Sequence, residues 1–189
     1  MRSILFPLSL CALSACAASI PPVEVTRFHL GQQPAAGAAT IEAAEGLNAA
    51  ALEFGTYAAA VSRELIRLGY PQDGKAAYRI VVGYDRGARP VAKRSPVTIG
   101  IGGGSFGGSV GIGVGTSFGL GKSTTEIVST RLSVQMRRVS DGATVWEGRA
   151  QTEAPANAPA AQPGLAADKL ARALFQDFPG ESGRTITVP

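Results

Sequence analysis

Two spacings of apolar residues divide this chain into elements. Between about Thr125 and Val139, Val128, Thr130, Leu132, Val134 and Met136 share one parity, while Arg131, Ser133, Gln135 and Arg137 share the other. Period two with one apolar face predicts a half-buried antiparallel strand. Asp141-Gly142 supplies a tight turn, and Thr144 to Thr152 returns as the hairpin partner. Tyr78 to Tyr84 reads as another strand, because Ile80-Val81-Val82 is too short and too β-branched for a helix. Val23 to Leu30 reads as the first strand. Val23 and Val25 alternate, but Phe28 and Leu30 take the other parity, which predicts a bulge or the strand's end. Gly31 to Gly37 is a break, Thr40 to Ala43 a short strand, and Thr185 to Val188 an edge strand.

The second spacing is helical. Phe54, Ala58, Val61, Leu65 and Leu68 recur at steps of three and four, predicting a helix between about Leu47 and Leu68. Asn48 is its candidate N-cap, and Gly69 followed by Pro71 ends it. Leu165 to Phe178 is a second helix with Leu170, Leu174 and Phe178 on its apolar face, stopped by Pro179-Gly180. Ala154 to Pro163 is an Ala/Pro loop before it. This order predicts an α+β domain with one mainly antiparallel sheet and both helices packed on one face.

The stretch from about 97 to 121 follows neither pattern cleanly. Val97, Ile99 and Ile101 alternate with Gly100 and Gly102, and Val110, Ile112 and Val114 alternate with Ser109, Gly111, Gly113 and Gly115. That reads as a glycine-rich β-hairpin turning near Gly104 to Gly107. One face is aliphatic and the other almost bare backbone, so another backbone can approach closely. Three readings stay open: a hairpin folded over its own sheet, an edge for self-association or docking, and a membrane-inserted hairpin of an oligomeric barrel. The last needs strands of about nine to eleven residues with aromatic girdles, for which only Phe106 and Phe118 are available.

The N-terminus has its own logic. Met1-Arg2 is positive, Ile4 to Leu13 is a short apolar run, and Leu13-Ser14-Ala15-Cys16 closes it. This resembles the bacterial lipobox, so residues 1–15 read as a signal peptide, Cys16 as the lipidated residue and 16–22 as a tether. The apolar run is too short to stay as a membrane-spanning helix. An ordinary secretory signal cut near Ala15 or Ala18 is the alternative. If the lipobox acts, it implies diacylglyceryl (palmitate-type) chains on Cys16, at about 0.8 kcal/mol per buried methylene. Ala17, in a position where aspartate favours inner-membrane retention, points to the outer membrane and a body facing the periplasm.

Composition narrows the chemistry. The 189 residues, counting the leader, fit a single domain, here 23–189. A net charge of +4 is too mild for a nucleic-acid footprint. The only cysteines are Cys11 and Cys16, so the body after the tether has no thiol for a disulfide, metal site or nucleophile. His29 is the single histidine, and neither a zinc set nor a serine triad assembles around it in sequence. Gly102 to Gly107 formally fits a dinucleotide fingerprint, but glycine-rich alternation follows where a helix must open. Gly121-Lys122-Ser123 lacks the first glycine of a phosphate loop, since Thr116 occupies that position. The reading is therefore non-enzymatic, with no catalytic residue, cofactor or metal. Arg86, Arg89, Lys93 and Arg94 form a basic stretch broken by Gly87 and Pro90. With Phe106 and Phe118, they are the candidate contacts to an envelope protein, glycan or lipopolysaccharide, or to further copies in a homo-oligomer.

Three segments add a resemblance. They are Arg63-Glu64-Leu65-Ile66-Arg67-Leu68-Gly69-Tyr70, Asp141-Gly142-Ala143-Thr144-Val145-Trp146-Glu147-Gly148, and Ala173-Leu174-Phe175-Gln176-Asp177-Phe178-Pro179. Together they resemble the exported family designated domain of unknown function 4136, over the chain from about Val23 onward. The resemblance implies a periplasm-facing lipoprotein with an α+β body. It brings no catalytic residues with it, and the long glycine segment departs from its plainest form.

Overall fold

The computed structural model describes residues 21–92 and 124–189. It shows strands β1 (Val23–His29) and β2 (Ala39–Ala43), helix α1 (Leu52–Arg67), strands β3 (Tyr78–Ala92), β4 (Thr124–Arg138) and β5 (Thr144–Pro155), helix α2 (Pro163–Phe175) and strand β6 (Thr185–Val188). The six strands form one sheet in the order β2-β3-β4-β5-β1-β6. Only β2 runs parallel to its neighbour β3, and the other four pairings are antiparallel. The expected α+β class and mostly antiparallel sheet are present. The glycine-rich hairpin falls outside the described residues.

Both helices cover one face. Val25, Ile80, Val82, Leu132, Val134, Met136 and Ala150 point to it from four strands and join Val61, Leu65, Leu170 and Leu174 in a single core. The β4 alternation holds as read, with Val128, Thr130, Leu132, Val134 and Met136 all buried.

Four elements differ from the expectation at one or both ends. Helix α1 starts at Leu52, not near Leu47. Asn48 builds a turn ahead of it, its Oδ1 accepting the Ala50 N–H at 3.0 Å, and Ala51 caps without a side-chain bond. The helix ends as expected. Gly69, at φ +88°, lets the Gly69 and Tyr70 N–H groups donate back to Ile66 and Leu65, at 3.1 and 2.9 Å. Strand β3 runs on to Ala92, eight residues past Tyr84, paired throughout with β4. Strand β5 continues to Pro155, into what reads as an Ala/Pro loop. Helix α2 begins at Pro163, whose missing N–H costs nothing in the first turn, and ends at Phe175, leaving Phe178 beyond it.

Strand β1 has neither a bulge nor an early end, since it pairs without a break through His29. Its third inward position is Arg27, 3 % exposed, while Phe28 and Leu30 are 47 % and 75 % exposed. The guanidinium is accommodated because its Nε and Nη2 donate to the Leu174 and Ala173 carbonyls, at 2.9 and 2.8 Å. Those are unpaired acceptors at the negative end of α2, a natural partner for a cation.

The three family-like segments meet at this end of the domain. Trp146 stacks on Phe175 (5.3 Å between centroids), leans on Phe178 (5.2 Å) and donates its Nε1–H to the Pro179 carbonyl at 3.0 Å. Tyr70 meets Phe178 edge-on at 6.0 Å. A Cβ on Gly148 would stand 2.5 Å from Trp146 and 2.7 Å from Leu174, so the indole needs glycine there. The segments that carry the resemblance are thus a packing unit.

Candidate functional site

Among the described residues the helices leave the other face of the sheet uncovered, and strand parity fills it with polar groups. One row of cross-strand neighbours runs Gly83, Ser133, Arg149, Thr26, Thr185. On one side lies the row Val81, Gln135, Glu147, Phe28, and on the other Asp85, Arg131, Gln151, Glu24, Thr187. Short side chains in the middle row and longer ones in the flanking rows make a trough. Arg149 crosses it and divides it into two shallow depressions of about 340 and 510 Å³.

The trough is built of oriented donors and acceptors. Arg149 Nη2 pairs with Glu147 Oε1 at 2.6 Å, and Arg131 donates from Nε and Nη2 to Gln151 Oε1, at 3.2 and 2.9 Å. Arg137 Nη2 donates to Gln135 Oε1 at 2.7 Å, while its Nε is buried without an acceptor among the described residues. The Thr26 and Thr185 hydroxyls bond each other at 2.7 Å across β1 and β6. Guanidinium forks, amides and hydroxyls in this density suit oxygen-rich partners, whose carboxylates and hydroxyls accept such bonds.

Among the described residues the face holds no nucleophile beside a base. His29 is engaged elsewhere. Its Nδ1 accepts the Gly31 N–H at 3.1 Å, which leaves Nε2 to donate to the Gly180 carbonyl, also at 3.1 Å. Among the described residues no group of three His, Cys, Asp or Glu is placed to hold a metal ion. No described helix is long and apolar enough to cross a membrane.

The basic stretch expected as a contact surface is divided by the strand that carries it. Arg86 and Arg89 lie on β3, not in a loop, and positions three apart on a strand point to opposite faces. Arg86 turns to the helix side, where Nη2 donates to the Ala161 carbonyl at 2.6 Å. Arg89 lies on the open face, paired with Glu153 at 2.8 Å. Cys16, Lys93, Arg94, Phe106 and Phe118 lie outside the described residues.

On the helix side, near Arg86, Tyr57 of α1 stacks on Tyr84 of β3, 4.5 Å between centroids and 12° from parallel. Burial, with a smaller push from Glu53, raises the Tyr57 phenol to about 12 against the opposing pull of Arg86. Burial also raises Tyr84. This pair fastens α1 to the sheet and offers no reacting group at neutral pH.

Sequence reading marked the β4 share of the trough as a polar strand face but not as a site, and missed the rest. Arg131, Ser133, Gln135 and Arg137 stood out as the polar parity of β4. Glu147, Arg149 and Gln151 alternate in the same way on β5, which was the available signal. That Glu24, Thr26 and Thr185 complete the trough depends on β1 and β6 arriving beside β5, a pairing that no local pattern encodes.

Comparison with known proteins gives relatives but no described activity. An uncharacterized protein of Zymomonas mobilis is 31 % identical over 212 aligned positions, covering 88 % of this chain and 80 % of the relative. Among solved structures, a PelC dodecamer from Paraburkholderia phytofirmans is similar at 12 % identity and a TM-score of 0.43, over 85 % of this chain and 99 % of that one. A PDZ domain protein from Parabacteroides distasonis is similar at 10 % identity and a TM-score of 0.49, over 89 % of this chain and 39 % of that one. Both structural likenesses are too distant to carry an argument here. The family model described as domain of unknown function (DUF4136) matches residues 32–180. With that match and the Zymomonas relative, the chain belongs to the DUF4136 family.

Proposed function

We propose that this chain is a non-enzymatic lipoprotein of the Gram-negative envelope. It is anchored in the outer membrane through acylated Cys16 and faces the periplasm, and its open sheet face docks an envelope polymer or protein. The observation that carries the docking reading is the trough, on a face of the six-stranded sheet that no described helix covers, lined by arginines, amides and hydroxyls. The lipobox carries the anchoring reading. Residues 17–22 separate Cys16 from β1, so the start of β1 stands within roughly 25 Å of the acylated residue even with the tether fully extended. A domain held so close to the periplasmic leaflet meets peptidoglycan and other envelope proteins as its neighbours.

Mass spectrometry of the N-terminal peptide from membrane-fraction protein tests the anchor. An acylated peptide beginning at Cys16, lost in Cys16→Ala, is expected. An unmodified terminus beginning elsewhere, with the protein in the soluble fraction, sinks the lipoprotein reading. Co-sedimentation with purified peptidoglycan sacculi and with lipopolysaccharide micelles tests the docking. Retention by one of them that Arg131→Ala/Arg149→Ala abolishes supports an envelope polymer. If that variant still docks as the native chain does, the trough is not the contact surface.

A further inference from the structure

A second surface points to a different partner. Strand β2 ends at Ala43, opposite Val82, so β3 beyond it has a neighbour on only one side among the described residues. The six residues Asp85 to Pro90 are all exposed. Tyr78 donates its N–H to Ala38 and Val82 accepts from Ala44, so the peptide groups of even-numbered β3 residues face β2's side and those of odd-numbered residues face β4. Past Val82, Tyr84, Arg86 and Ala88 therefore offer N–H and C=O groups outward, and Pro90 offers only a carbonyl. Proline sits where its missing N–H breaks no bond to β4, and it closes the run of edge donors.

We propose that this edge pairs antiparallel with the same edge of a second copy, about a twofold axis at Gly87. Charge selects that register. Centred on Gly87, Asp85 stands opposite Arg89 of the partner strand, and the symmetry makes the pair twice. Centring on residue 85, 86 or 89 instead sets Asp85, Arg86 or Arg89 against its own copy, an unfavourable like-charge pair. Centring on Ala88 sets no opposite charges together. The Gly87 register also places Arg86 opposite Ala88, so two outward-facing residues on each strand exchange both backbone bonds. It sets the carbonyl of Pro90 opposite the Tyr84 N–H. Gly87 lies opposite itself, and a side chain there meets nothing within 4 Å in the single chain. The interface is isologous, as closed dimers require.

That geometry supplies the test, made on the full chain purified from membranes. Gly87→Cys puts two thiols at a close-spaced non-hydrogen-bonded pair, and mild oxidation is expected to yield a disulfide-linked dimer. The unsubstituted chain, oxidised alongside, reports any cross-link through its own Cys11 or Cys16. Adding Arg89→Asp to Gly87→Cys is expected to lower the cross-linked fraction roughly tenfold, because two attractive pairs become repulsive. The charge-swapped Asp85→Arg/Arg89→Asp background restores it. Ala88→Pro, which removes an edge donor without touching the β4 ladder, abolishes it. A Gly87→Cys chain with native circular dichroism that stays monomeric under oxidation overturns the proposal. So does a dimer indifferent to both the charge reversal and Ala88→Pro.

Discussion

The two faces of strand β5 are built from alternate residues of one short segment and obey opposite rules. Trp146, Gly148 and Ala150 point to the helices, where the indole stacks on Phe175 and leaves no room for a Cβ at Gly148. Glu147, Arg149 and Gln151 point to the open face and bond mainly to one another or to their cross-strand neighbours. One face is a fitted solid, where shape decides stability. The other is a wet lattice of polar side chains, where stability hardly depends on which side chain is present. The family-like segments lie on the first side, which is why the resemblance specifies a fold and says nothing of an activity.

Truncating the indole breaks the packed side most severely. Trp146→Ala removes both ring contacts and the bond to Pro179, and is expected to lower unfolding free energy by about 3–5 kcal/mol. A domain of this size has only about 5–15 kcal/mol in hand. Urea unfolding followed by circular dichroism reads the loss, and a change below 1 kcal/mol would mean that the aromatic cluster is not the keystone described. Next come two smaller insults at the same end. Gly148→Ala forces a Cβ into Trp146 and Leu174, for about 1–3 kcal/mol. Arg27→Met keeps the length but strips two charged hydrogen bonds from the end of α2, for about 2–3 kcal/mol by the same assay.

Alkaline pH probes the packed side without a mutation. The Tyr57 phenol is raised from its ordinary 10 to about 12, chiefly by burial. Below pH 10 both folded and unfolded chains keep the proton, and stability is unaffected. Between pH 10 and 12 the unfolded chain releases it while the folded one does not, so stability falls as pH rises. One proton corresponds to a slope approaching about 1.4 kcal/mol per pH unit. Tyr57→Phe should flatten the fall measured by urea titration from pH 9 to 11.5. An unchanged slope would mean that Tyr57 ionises freely in the fold.

These two faces also mark how far the sequence was legible. The β4–β5 hairpin, its turn and the polarity of its two faces could be read because every cue is local: alternating parity, Asp141-Gly142 and a return strand. The end of α1 was equally local, set by Gly69. The start of α1 was not, because Asn48 serves equally well in a turn before a helix. Arg27 was illegible for a stronger reason. Transfer energetics place an arginine outside, and only carbonyls some 146 residues away in sequence make its burial tolerable. The split of Arg86 from Arg89 follows directly from strand parity, once β3 is known to continue past Tyr84. Gly87 and Pro90 concealed that continuation, since both are poor strand residues anywhere but on an unpaired edge.

The smallest effect on stability carries the most information about function. Arg149 is exposed on the open face, and its ion pair with Glu147 is of a kind worth little in water. Arg149→Ala should therefore move unfolding free energy by no more than about 0.5 kcal/mol. Yet Arg149 divides the trough, and a ligand lying across both depressions must pass over it. If an oxygen-rich polymer binds there, the same substitution removes a guanidinium from the middle of the contact while leaving the fold intact. Binding to sacculi or lipopolysaccharide should then weaken about tenfold, equivalent to one charged hydrogen bond of roughly 1.4 kcal/mol. Arg149→Lys should restore little of it, because an ammonium cannot reproduce the planar fork. A variant that loses stability but not binding would reverse the assignment of the two faces, making Arg149 part of the framework and leaving the open face without a ligand.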